Sequence, residues 1–264
     1  MPQQNARNIV LVLAYDGTDF FGFQSQGEAG LPTIQETLEK AVFRLTGEKA
    51  TVAGSGRTDT GVHAWGQAVH FFTKSTIPPE RWALALAQYL PDSIVVRGSR
   101  EASPDFHARF SAKEKTYIYQ IYRSATPSPF FRRYAYHVPY TLDVSAMREA
   151  AAHLIGSHDF RSFCAAGSKT KSFVREIGAC GIEEKEPLLT LRIRGSGFLW
   201  HMVRIIAGTL LEVGSGKRRA EDIPVLLKAG DRRLSGVTLP PEGLILQSVH
   251  YDGFDTDTLI WAGG

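Results

Sequence analysis

The chain opens on an apolar run, Ile9-Val10-Leu11-Val12-Leu13-Ala14-Tyr15, closed by Asp16-Gly17. An uninterrupted apolar run ending in a turn pair predicts a buried strand. Thr33-Ile34-Gln35-Glu36 has the form of a capping box, a hydroxyl followed three residues on by a carboxylate. Ile34, Leu38, Val42 and Leu45 then recur at helical spacing, and Gly47 suits the stop. Thr51 to Gly54 reads as a short strand and residues 66–73 as a longer one. Pro79 precedes a helix over 80–90, and Ile94-Val95-Val96 is a third apolar strand. The order is β-α-β-β-α-β.

The second half follows the same order. Residues 115–123 are a strand by β-propensity. Asp143 caps a helix whose Val144, Met147, Ala151 and Leu154 form one stripe. Strands over 175–183 and 188–195, a very apolar helix over 198–213 and a last strand over 245–251 complete the series. The simplest architecture is α+β: two ferredoxin-like (RRM-like) β-α-β-β-α-β halves whose antiparallel sheets join around a central active-site cleft. The polar stretch 101–112, with Ser103-Pro104, supplies the boundary, giving halves of residues 1–104 and 105–264.

Composition narrows the class. With 264 residues, of which 43% are hydrophobic and 22% charged, the chain has enough material for one large or two small soluble cores. No apolar run approaches the ~20 residues of a membrane span. The stretch Met1-Pro2-Gln3-Gln4-Asn5-Ala6-Arg7 is not of signal-peptide type, so a cytoplasmic setting is expected. Cys164 and Cys180 fit no zinc or redox spacing and read as packing residues. The scattered histidines (His63, His70, His107, His153, His158, His201) form no ligand triplet, so neither a metal nor another cofactor is expected. A net charge of +3 is compatible with a nucleic-acid partner without arguing for one.

The most unusual segment is 54–67, Gly-Ser-Gly-Arg-Thr-Asp-Thr-Gly-Val-His-Ala-Trp-Gly-Gln. It is neither a P-loop, which ends in Gly-Lys-Ser/Thr, nor a dinucleotide fingerprint, which needs a third glycine where Asp59 stands. Its glycines allow close backbone approach by a ligand, and two strands frame it. Presentation of Arg57 and Asp59 to a substrate and a plain hairpin loop with a surface ion pair are both open on pattern alone.

Arg204 interrupts the apolar stretch Phe198 to Leu211. Its guanidinium stays charged, so burial would require a carboxylate. Asp59 is one candidate; the others are Glu212 or a side chain reaching solvent. Tyr117 lies in a strand with aromatics on both faces, which suits a core; flanked by Lys113 and Lys115, it also suits stacking on a base while the lysines meet phosphate. Phe130-Phe131-Arg132-Arg133-Tyr134, the set Lys169, Lys171, Phe173 and Arg175, and Lys217-Arg218-Arg219 extend this mixture of basic and aromatic residues. Together they are consistent with an RNA groove.

Gly56-Arg57-Thr58-Asp59-Thr60-Gly61-Val62-His63-Ala64 resembles the catalytic motif of the tRNA pseudouridine synthase A family. The resemblance continues through Tyr15-Asp16-Gly17-Thr18 with Phe20, Gly22 and Gln24, through Phe106-His107-Ala108-Arg109-Phe110-Ser111-Ala112, through His158-Asp159-Phe160 with Ser162-Phe163, and through Phe198 to Gly214. It implies that Asp59 is the nucleophile, that Arg204 pairs with its carboxylate, and that Tyr117 contacts the flipped uracil. On the substrate side it gives Arg57 a role in positioning the RNA, and His63, Arg109 and Lys169 are further substrate-binding candidates with Tyr117. It further implies a tRNA substrate modified at positions 38–40, on the 3′ side of the anticodon stem-loop, and a homodimer in which one tRNA touches both subunits. Trp200-His201 departs from the family, where a Tyr-Asn pair is common. Two other readings remain: a pseudouridine synthase with a different RNA target, and a non-catalytic RNA-binding protein on the same scaffold.

Overall fold

A computed structural model describes residues 6–25, 30 and 32–259. Residues 1–5 of the N-terminal stretch read above lie outside them. The chain divides into two compact units, Met1–Lys113 with Leu246–Gly264, and Glu114–Ile245. The sequence reading drew the line at 104/105 and kept the last strand with the second half. The last strand joins the first unit because it hydrogen-bonds to a strand there.

The first unit contains β1 (Arg7–Tyr15), α1 (Ile34–Thr46), β2 (Ala53–Gly54), β3 (His63–Thr73), α2 (Trp82–Ala87) and β4 (Ile94–Ala102). β1 is buried from Asn8 to Leu13, so its apolar residues run on without alternation, as in any strand covered on both sides. It pairs antiparallel with β3 on one side and β4 on the other, and β2 pairs antiparallel with β3. Thr33 caps α1 through its hydroxyl, which accepts from the Glu36 N–H, and Gly47 ends it in the left-handed conformation. The capping box is only half made, because the Glu36 carboxylate accepts from Ser25 instead. The helix expected at 80–90 is a 3-10 turn over Pro79–Arg81 followed by the short α2, whose Trp82 packs edge-on against Phe71.

The second unit contains β5 (Ala112–Arg123), β6 (Tyr136–Val138), α3 (Val144–Ala152), β7 (Gly156–Asp159), β8 (Val174–Lys185), β9 (Leu188–Gly195), α4 (Met202–Gly214) and α5 (Asp222–Ala229). Its strands run in the order β5-β9-β8-β7, each pair antiparallel, with β6 parallel to β5. β9 alternates buried and less buried residues, the mark of a strand with one face in the core. The chain then returns to the first unit as β10 (Leu244–Tyr251), beside β3, and β11 (Phe254–Asp255). The fold is thus mixed α+β with mostly antiparallel strands. The elements β6, β7, α5 and β11 were not foreseen, being two to eight residues long with little periodicity to read.

The apolar helix expected at 198–213 starts at Met202. Residues before it turn sharply, and His201 takes φ +59°, the one positive φ among the described non-glycine residues. Cys164 and Cys180 are both buried and unbridged. No helix among the described residues is long and apolar enough to cross a membrane.

Candidate active site

In the first unit the loop from Gly54 to Val62 joins β2 to β3 and carries Arg57 and Asp59. A buried polar network holds it from below. The Tyr15 hydroxyl and Thr58 Oγ1 share a 2.8 Å hydrogen bond, and Gln67 Nε2 donates to Gly56 O at 2.8 Å. The Ser55 hydroxyl donates to Gln67 Oε1. Ser55, Thr58, Gln67 and Tyr15 are all buried. Burial pushes the Tyr15 hydroxyl well above the usual phenol range, against the hydrogen bond to Thr58, so it remains a neutral partner. A buried network of this kind, with its groups paired, fixes a loop more firmly than surface contacts would.

The opening turn clamps the loop from the other side. Phe23 N donates to Thr58 O at 3.0 Å. A Cβ at Gly17 would lie 2.0 Å from Val62 O, and one at Gly22, whose φ is +77°, would lie 2.7 Å from Thr58 O. These two glycines let backbone pack on backbone. Within this frame Asp59 is half-buried and Arg57 exposed. Asp59 O accepts from Val62 N at 3.1 Å, closing the loop tip.

His63 is buried at the start of β3. Its Nδ1 accepts the Gly17 N–H at 3.0 Å, which leaves that nitrogen without a proton of its own. The Asp16 carboxylate lies 3.2 Å from the same nitrogen and also accepts from Thr18 N and Oγ1. His63 thus ties the opening turn to the strand. Arg109 is exposed, its guanidinium carbon 5.8 Å from the Phe110 ring centroid. The segment bearing it is anchored from beneath, where Ala108 N donates to the buried His70 Nδ1 at 3.2 Å.

In the second unit Tyr117 is 8% exposed on β5, opposite Ile193 of β9. Its ring meets Phe198 edge-on, centroids 5.0 Å apart. Arg204 is half-buried in the first turn of α4, not in mid-helix as the apolar run implied. Its Nε donates to Leu239 O at 2.7 Å, and its own carbonyl accepts from Leu239 N at 3.3 Å. The same segment takes the Tyr119 hydroxyl, which donates to Pro240 O at 2.8 Å. Glu212, the structural alternative as partner of Arg204, is held by Arg218 at 2.9 Å. Lys113 pairs with Asp252 at 3.0 Å. Lys169 is exposed in the loop before β8. Among the described residues, no group of three or more His, Cys, Asp or Glu side chains could hold a metal ion.

The structure thus places Arg57 and Asp59 in one clamped loop with His63 at its end, sets Tyr117 against Phe198, and puts Arg204 in the first turn of α4. Sequence reasoning missed the supporting residues Tyr15, Ser55, Gln67 and Leu239. Only Tyr15, beside the Asp16-Gly17 turn, carried a local signal.

A family model described as tRNA pseudouridine synthase matches residues 11–111 and 150–252. Asp59 and Arg204 fall inside the matched stretches and Tyr117 between them. The chain is 46% identical over 245 residues to the tRNA pseudouridine synthase A of Acetivibrio thermocellus, covering 93% of this chain and 100% of that one. It is 49% identical to that of Geobacillus kaustophilus (93% and 95% covered) and 49% identical to that of Bacillus subtilis (91% and 97% covered).

Proposed function

Because the chain belongs to the tRNA pseudouridine synthase family, and is therefore an isomerase that converts uridine to pseudouridine in tRNA, we propose that Asp59 is its nucleophile and that its targets are positions 38–40 of the anticodon stem-loop. The observation that carries the first part is the Gly56-Arg57-Thr58-Asp59 loop, held by buried partners while Asp59 itself remains half-exposed. A side chain on a rigid loop is the arrangement that a precisely placed nucleophile needs.

The chemistry follows from the isomerisation. The glycosidic C1′–N1 bond breaks, the base turns, and a C1′–C5 bond forms. C5 gives up its proton and N1 gains one, so nothing is added or removed overall. The base must first leave its stack, at a cost of a few kcal/mol. A carboxylate suits the covalent step because it can add and then depart. Arg204 is its ion-pair partner in this reading, placing a cation beside the carboxylate. Leu239 O, by holding Arg204 Nε, sets the direction of the guanidinium. Tyr117, braced by Phe198, contacts the flipped uracil. The exposed Arg57, Arg109 and Lys169 meet the RNA, and His63 supports the site through the turn it anchors.

Two further expectations belong to the same reading. Each half follows the ferredoxin-like plan. In the first unit β1 lies between β3 and β4 with β2 outside β3, and in the second β9 lies between β5 and β8. The active assembly is a homodimer that one tRNA bridges, which light scattering with and without tRNA tests.

Tritium release from tRNA labelled at uridine C5 tests the function. The native protein is expected to release label and Asp59→Ala to release none while still binding tRNA. Normal release by Asp59→Ala would remove Asp59 as nucleophile. Release confined to uridines outside positions 38–40 would keep the reaction and overturn the target. Arg204→Met is expected to fold and to lose turnover; full activity in that variant would dissolve the proposed ion pair.

A further inference from the structure

A groove of about 410 Å³ opens in the second unit between the loop after Phe163 and the 3-10 turn Arg232–Leu234. Arg161, Ser168, Phe173, Asp231, Arg232 and Arg233 line it. None of these residues has a place in the reaction described above.

The charges on its walls are unequal. Arg233 pairs with Asp231 through Nε and Nη2, which offsets its charge locally. Arg161 is likewise paired with a carboxylate, that of Asp159, whereas Arg232 is held by neutral oxygens. Arg161 lies over the Phe173 ring, 4.9 Å from its centroid, and gives one N–H to Asp159 at 3.3 Å. Arg232 donates one N–H to Ser235 O at 3.3 Å and another to Thr238 Oγ1 at 3.1 Å. A guanidinium has five N–H donors, so these contacts fix each arginine without exhausting it. Burial disfavours the charge on Arg232, with Glu212 opposing, so an anion arriving there meets a partly desolvated cation. Lys169 and Lys171 continue the series of cations along the exposed loop.

A series of cations along a groove, with an aromatic floor, matches a chain of phosphates better than a single small anion. Its position adds to the argument. Ala165 N in the groove wall donates to Trp200 O at 3.0 Å, in the turn that leads into α4 and Arg204.

We propose that this groove, through Arg161 and Arg232, binds the phosphodiester backbone of the substrate tRNA. The proposal rests on the tRNA reading given above. It makes the two arginines positioning residues, which fix how the RNA lies on the second unit and do not touch the reacting base.

The test measures tRNA binding to the full-length protein as a function of salt, for native protein, Arg161→Gln, Arg232→Gln and Arg161→Lys. Each Gln variant is expected to weaken binding several-fold and to reduce the slope of log Kd against log salt by about one, the signature of one lost phosphate contact. The loss is expected in KM and not in kcat. Arg161→Lys is expected to restore the slope, since it restores the charge. Circular dichroism of each variant separates lost contact from lost fold. Native protein that turns over tRNA, with Gln variants of unchanged affinity and slope, would overturn the groove and leave the enzyme reading intact. Failure of the native protein to bind tRNA at all would overturn both. Inorganic phosphate is the second probe. Tight phosphate binding that Arg161→Gln abolishes without affecting tRNA would make this a small-anion site and overturn the RNA assignment.

Discussion

Single residues here act mainly through what they hold in place. His70 is buried, and its Nδ1 accepts the Ala108 N–H that anchors the Arg109 segment. Burial, with the nearby His107 adding to it, pushes its pKa down to about 4. The unfolded chain therefore takes up a proton below its ordinary pKa of ~6.5, while the folded protein does so only near 4. Stability is fully present above that ordinary value, falls as the pH drops through the window, and levels off below 4, a loss of roughly 1–3 kcal/mol. His70→Asn, which keeps an acceptor and removes the titration, is expected to flatten this part of a denaturation-against-pH profile. His201 offers a second case. It holds φ +59° at the cap of α4, a region that costs a branched side chain ~1–2 kcal/mol. His201→Val is expected to lower the unfolding free energy by about that much and His201→Asn to leave it nearly unchanged, because asparagine tolerates the left-handed region. Equal urea midpoints for the two variants would show that backbone strain is not what matters there.

At the scale of elements, α4 depends on close approach. A Cβ at Gly208 would lie 2.0 Å from Val237 O, and one at Gly236 would lie 2.6 Å from Thr209 N. This intimacy lets the segment around Leu239 reach Arg204 and Tyr119. Gly208→Ala is expected to cost about 3 kcal/mol by overpacking and to lower kcat as well, since the displaced segment orients Arg204. Thermal unfolding and the tritium assay check the two halves of that statement, and a stable variant of normal rate would contradict both. The end of α4 was readable from its apolar residues, but its start was not. Phe198, Leu199 and Trp200 are as hydrophobic as the helix itself, and only the reversed φ at His201 separates turn from helix.

For the whole chain, the return of the C-terminus is the main departure from the linear reading. Thr256 is fully buried; its Oγ1 donates to Gly66 O at 2.9 Å and accepts from Val249 N at 2.8 Å. Tyr251 and Phe254 stack at 4.7 Å around the Asp252-Gly253 turn, and the Tyr251 hydroxyl donates to Ala108 O at 2.7 Å. Residues 249–256 therefore close the first unit. Thr256→Val is expected to cost ~1–3 kcal/mol by stranding two backbone groups, and ending the chain at Tyr251 to cost more. Calorimetry reads this directly, and an unchanged melting temperature in the truncated protein would refute it. The Asp-Gly pair at 252–253 was a visible turn signal that the sequence reading passed over.

The sequence by itself determined the class of element nearly everywhere that periodicity runs longer than about two turns or one strand. It also carried the Asp59 loop, because a glycine-rich motif around a charged centre is a local pattern. Its Tyr15, Ser55 and Gln67 supports, the backbone grip of Leu239 on Arg204 and the return of β10 to β3 were decided only in three dimensions. Each joins residues distant in sequence through hydrogen bonds whose partners leave no periodic trace, since a buried polar group must be satisfied by whatever the fold brings beside it.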